Sequence, residues 1–108
     1  GEKIVYVFID PLCPHSRKFI KMVSKNPIML SKYRYHLFLY GIPRLKSTDV
    51  ISAIYLSKNP IETLLKIMVE QKIFKAKGTT ISTKKINQIS KVAKEIDVYK
   101  RPYLFIMK

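Results

Sequence analysis

The stretch IVYVFIDPLCPHSRKFI, residues 4–20, decides how this chain folds. Ile4 to Ile9 are all β-branched or aromatic, with no polar interruption, and the run stops at Asp10-Pro11. A continuous apolar run of that length predicts a central strand buried on both faces. Pro14 suits the first turn of a helix, where its missing N–H has no partner to lose, and Phe19, Ile20 and Val23 give the following segment an apolar stripe. The sequence therefore predicts a helix from 13 to about 25 that starts at the only cysteine, Cys13.

That position has chemical consequences. Only the thiolate of a cysteine attacks, so a reactive cysteine needs surroundings that favour negative charge. A helix start supplies unpaired backbone N–H groups and the positive end of the dipole, and Pro14 fixes that start. His15, Arg17 and Lys18 add positive potential nearby. Ser16 lies one helical turn on, on the same face, where a second cysteine would complete a C-x-x-C pair, and its hydroxyl is expected to hydrogen-bond the sulfur. A hydroxyl cannot attack a disulfide, so a mixed disulfide on Cys13 must be released by an outside thiol or by a second thiol on the substrate. A lone cysteine also fits as a small buried hydrophobe. The strand end, proline and helix start around Cys13 favour the nucleophile. Asp10 reads either as a proton relay at the strand end or as the first residue of an Asp-Pro turn.

The rest of the chain limits what this motif can serve. Its 108 residues make one domain, 1–108, with a single core. One cysteine excludes an internal disulfide and a cysteine-based metal cage, and His15 and His36 are not at ligand spacing, so neither metal nor cofactor is expected. No apolar run approaches the roughly 18 residues of a membrane span. A first residue of Gly1 instead of Met fits a processed or engineered fragment. The net charge of +14 would attract nucleic acid, anionic lipid or acidic protein. Most of the lysines alternate with apolar positions, as on solvated helix faces, and nucleic-acid binding ranks last among the readings.

Tyr33 to Ile42 predicts the second strand, with Tyr35, Leu37 and Leu39 on one face and Arg34, His36, Phe38 and Tyr40 on the other. Ser47 or Thr48 caps a short helix carrying Val50, Ile51 and Ile54, and Asn59-Pro60-Ile61-Glu62 is a helix start signal. A last helix is expected from about Thr83 to Ile96, then Arg101-Pro102 leading into a strand, Tyr103 to Met107. The order β-α-β-α-α-α-β predicts an α/β fold with a parallel first crossover.

These features resemble a thioredoxin-like mixed sheet: strand IVYVFID, PxCPHS opening a helix, a helical insertion after the second strand, and a proline entering an apolar strand in KRPYLFI. The length of the insertion, GIPR after the second strand, and EIDVYKRPYLFI at the end are most similar to the catalytic domains of bacterial DsbC/DsbG disulfide isomerases. The resemblance implies a periplasmic thiol-disulfide exchange protein acting on disulfide-bonded or thiol-containing proteins, with an upstream thiol reductant as partner. It implies that Cys13 is the nucleophile, that Pro102 is a cis-proline beside it, and that the backbone of Arg101 contacts the bound peptide. Ser16 departs from the family's resolving cysteine, either as a natural monothiol arrangement or as a replacement that traps complexes. The family's dimerisation domain is absent, and its last strand and closing helix are expected beyond Lys108. The competing reading is a non-catalytic thioredoxin-fold scaffold with a basic surface.

Overall fold

The computed structural model describes residues 3–107. Strand β1, Lys3–Ile9, runs into helix α1, Pro14–Ser24, and after a short helix α2, Pro27–Lys32, the chain returns as β2, Tyr33–Leu39. A 3-10 turn at Pro43–Leu45 leads to α3, Thr48–Tyr55, then α4, Pro60–Met68, and α5, Thr80–Glu95, before β3, Tyr103–Met107. The three strands form one sheet in the order β2-β1-β3. The β1–β2 pair is parallel, with Val5 opposite Tyr35 and Ile9 opposite Leu39, and the β1–β3 pair is antiparallel, with Val7 opposite Leu104.

The continuous apolar run of β1 is explained by its central place, because side chains that alternate across a strand meet a different core on each face. On one side Val5, Val7 and Ile9 pack with Ile20 of α1, with Val50, Ile51 and Ile54 of α3, and with Leu64, Ile67 and Met68 of α4. Full burial of each such aliphatic side chain contributes roughly 1.5–3 kcal/mol. On the other side Phe8 packs with Ala93 of α5 and with Val98, and Phe38, Tyr40 and Phe105 gather around them. The two faces expected for β2 follow the same division, with Tyr35, Leu37 and Leu39 against the first core and Phe38 and Tyr40 against the second.

Three elements and one cap differ from the sequence expectation. Helix α2 is additional, and it begins on Asn26, whose side chain accepts the N–H groups of Ile28 and Met29, with Pro27 in the first turn. Strand β2 stops at Leu39, not Ile42, because the chain beyond it turns toward Asp10. Helix α5 begins at Thr80, not Thr83: Thr79 and Ser82 form a reciprocal capping box in which serine does the work usually done by glutamate. Ser47 precedes α3 as expected, but its hydroxyl makes no cap bond and is used elsewhere.

Strand β2 lies at an edge of the sheet, and there the Leu39 N–H donates to the Tyr55 hydroxyl at 3.2 Å. Burial pushes the Tyr55 phenol up to about 12, against the opposing effect of that hydrogen bond. Tyr55 is therefore a neutral acceptor that satisfies an edge donor throughout the physiological range.

Candidate functional site

The site is assembled where β1 ends. Asp10 is 0% exposed, and its carboxylate binds three donors: Oδ1 accepts the Leu12 N–H at 2.8 Å and the Ser47 hydroxyl at 2.6 Å, while Oδ2 accepts the Ile42 N–H at 2.6 Å. The bond to Leu12, two residues on, is an Asx turn, and it bends the chain out of the strand. The Cys13 N–H then closes on the Asp10 carbonyl at 3.0 Å, and the Arg17 N–H makes the first helical bond to the Cys13 carbonyl at 2.9 Å. Cys13 is thus the extended N-cap residue of α1, with Pro14 in the first turn, and its side chain makes no cap bond. The first-turn N–H groups of such a helix have no intrahelical acceptors.

Cys13 is buried, only 4% exposed. Its polar neighbour is the Arg101 carbonyl oxygen, 4.0 Å away on the segment that enters β3. The Arg101–Pro102 peptide bond is cis. What fixes this segment is the Arg101 side chain: Nε donates to the Tyr40 carbonyl at 2.8 Å, an η nitrogen donates to the Gly41 carbonyl at 3.0 Å, and the guanidinium lies 3.8 Å from the Tyr40 ring centre. Three segments distant in sequence are therefore tied together at the end of β1: the 10–13 turn and the 101–102 entry to β3, which meet at the sulfur, and the 40–42 loop, which is bonded to both Asp10 and Arg101.

The structure puts Ser16 to a different use from the one its spacing suggested. It is 0% exposed, and its Oγ accepts the Asp10 N–H at 3.2 Å; the described hydrogen bonds include none between Ser16 and the Cys13 sulfur. Arg17 is half-buried, with Nε donating to the Pro11 carbonyl at 2.8 Å, so its guanidinium is held against the 10–13 turn. Pro14 and His15 are exposed on the first turn of α1. Among the described residues no group of three or more His, Cys, Asp or Glu side chains is placed to hold a metal ion, and no helix is long and apolar enough to cross a membrane.

Sequence reasoning singled out Cys13, Ser16, Arg101 and Pro102 as candidates, without the bonds that hold them. Neither the Asp10–Ser47–Ile42 ties nor the Arg101–Tyr40 clamp was anticipated. The clamp joins residues 61 apart, a separation that leaves no local pattern. Asp10 did leave a signal, as a lone acid ending a buried strand, since an acid in that place is rarely buried without partners.

Replacing Arg101 by alanine removes two charge-assisted hydrogen bonds and a cation–π contact, and is expected to destabilise the fold by about 2 kcal/mol. Arg101→Lys should recover less than half of this, because an ammonium cannot span the two carbonyls as the guanidinium fork does. Urea midpoints at unchanged slope will measure both losses.

No protein-family model and no curated protein sequence matches the chain. Among solved structures, it is similar to a disulfide interchange protein from Neisseria gonorrhoeae, with a TM-score of 0.75, 13% identity, and coverage of 100% of this chain and 78% of that one. It is also similar to a putative protein-disulfide isomerase from Pseudomonas syringae, with a TM-score of 0.66, 14% identity, and coverage of 98% of this chain and 82% of that one. The chain has the thioredoxin-like α/β fold of these disulfide interchange proteins, a mixed sheet with helices on both faces.

Proposed function

We propose that this protein carries out thiol-disulfide exchange of the isomerase type, with Cys13 as its one nucleophile. The observation that carries this reading is the Cys13 sulfur at the N-terminus of α1, against the Arg101 carbonyl, in a fold shared with disulfide interchange proteins. The Cys13 thiolate attacks one sulfur of a substrate disulfide, forming a Cys13–substrate bond as the other substrate sulfur leaves as a thiolate and takes up a proton. A second substrate thiolate then displaces Cys13, so one disulfide is lost and one gained at each step and no net oxidant is consumed. Pro14, His15 and Arg17 favour the attacking thiolate through the helix start and positive potential. Arg101 and Pro102 offer backbone to the extended substrate chain beside the sulfur. The DsbC/DsbG type and a periplasmic location belong to this reading, as does an upstream reductant that returns Cys13 to the thiol after unproductive encounters.

The test is regain of native disulfides by a scrambled, disulfide-bonded protein incubated with the reduced form. Recovery well above that with a Cys13→Ala control is expected, and recovery equal to the control would sink the proposal. A non-catalytic scaffold is the second reading, favoured by the near-complete burial of the sulfur. Reaction with a small disulfide separates the two: an exchange protein forms a mixed disulfide on Cys13 in the folded state, and a scaffold does so only when unfolded.

A further inference from the structure

Beside the cysteine, on the α1 side, runs a groove of about 430 Å³ lined by Leu12, Pro14, Arg17, Lys18, Lys21, Met68, Val69 and Gln71. It starts at the residues flanking Cys13 and follows the helix away from them. Its floor is apolar, from Leu12, Met68 and Val69. Its rim carries three cations, Arg17 and Lys18 in succession and Lys21 one turn beyond Arg17. Among the described residues no carboxylate lines the groove. The nearest acid by sequence, Glu70, is ion-paired with Lys72 at 3.5 Å, and Asp10 has both oxygens occupied inside the protein. Lys18 and Lys21 are exposed, while the Arg17 Nε is tied to the Pro11 carbonyl and its charge faces the groove already in place. The whole chain, at +14, adds a field of the same sign.

We propose that the groove selects the substrates of Cys13: disulfides in acidic polypeptide segments, whose Asp and Glu side chains dock on Arg17, Lys18 and Lys21 while apolar neighbours rest on Leu12, Met68 and Val69. The inference rests on thiol-disulfide exchange by Cys13 and specifies its substrate class. Attack by Cys13 on such a segment forms the Cys13–peptide disulfide and releases the peptide's former partner as a thiol, so bonds and electrons balance.

The experiment uses a cysteine peptide joined by a disulfide to 2-mercaptoethanol, in three forms whose flanking residues are Glu, Gln or Lys. Each rate of adduct formation is divided by the rate with uncharged bis(2-hydroxyethyl) disulfide, so that changes in the thiolate itself cancel. The Glu peptide is expected to react roughly tenfold or more faster than the Gln peptide at low salt, within the range of electrostatic steering. The advantage should collapse near 1 M salt, where the screening length falls to about 3 Å. Lys18→Glu with Lys21→Glu should reverse the order of the Glu and Lys peptides. Equal normalised rates for the three peptides would overturn the inference, and so would a Glu preference untouched by the two substitutions. An oligodeoxythymidylate that competes as strongly as polyglutamate would assign the rim to nucleic acid and also overturn it. Failure to react with the uncharged disulfide would instead remove the exchange reading beneath it.

Discussion

Ser16→Cys is expected to shorten the life of a mixed disulfide on Cys13 by roughly a hundredfold or more, while Cys13→Ala abolishes adduct formation altogether. The reason for the first effect is geometric. Position 16 lies one turn beyond Cys13 at the start of α1, so a thiol there attacks the Cys13–substrate bond as an intramolecular nucleophile, and well-oriented intramolecular reactions have effective molarities far above any free thiol concentration. With Ser16 the adduct waits for an outside or substrate thiol, a process of minutes to hours when uncatalysed. The check is acid quenching at timed intervals after mixing with a single-cysteine peptide disulfide, with the adduct counted by mass. The wild type should accumulate adduct, and Ser16→Cys should show it only transiently before an internal 13–16 disulfide appears. Equal adduct lifetimes would mean that position 16 does not reach the sulfur. The substitution also replaces a hydroxyl that accepts the buried Asp10 N–H by a weakly accepting thiol, for a loss of about 1 kcal/mol.

That second role of Ser16 marks the boundary of what local sequence discloses. The strand Ile4 to Ile9, the helix start at Cys13 and the two faces of β2 could be read because each is a pattern of neighbours: a run, a proline in a first turn, an alternation. Helix α2 was equally readable. Asn26-Pro27 is the same start signal as Asn59-Pro60, but the apolar residues after it, Ile28, Met29 and Leu30, are consecutive and not three or four apart, so no apolar stripe reinforced it. The start of α5 was missed by three residues because Ser82 stands where a glutamate would have advertised the capping box. The partners of Asp10, Ser16 and Arg101 were beyond reach for another reason. A hydroxyl or guanidinium in a sequence has many possible acceptors, and only the packing of the 40–42 loop against the 10–13 turn selects among them.

Asp10→Ala is expected to cost about 4 kcal/mol, the largest stability loss available to one substitution at this site. Three donors lose their acceptor at once: the Leu12 and Ile42 N–H groups and the Ser47 hydroxyl. Hydrogen bonds to a charged group contribute roughly 1.5–3 kcal/mol each, and the cavity left by a fully buried carboxylate gives the donors little water in exchange. For a domain of this size the melting temperature should fall by about 15 °C or more. Asp10→Asn should lose about half as much, since one amide oxygen can replace one carboxylate oxygen while the NH₂ group opposes a donor at the other. The same pair of variants decides between the two roles that Asp10 suggested. A proton relay must exchange a proton with solvent or thiol, yet both oxygens here are engaged by donors that hold the turn and the loop, and none of the side chain is exposed. If Asp10 is a tie, the reaction of Asp10→Asn with a small disulfide keeps the wild-type pH profile and falls only as the fold loosens, recovering on cooling or in a stabilising osmolyte. A profile whose neutral-pH limb disappears at full stability would restore the relay. The geometry favours the tie: the carboxylate holds Leu12 beside the sulfur, and it holds Ile42 beside the carbonyls that anchor Arg101, so one buried charge sets both walls of the site.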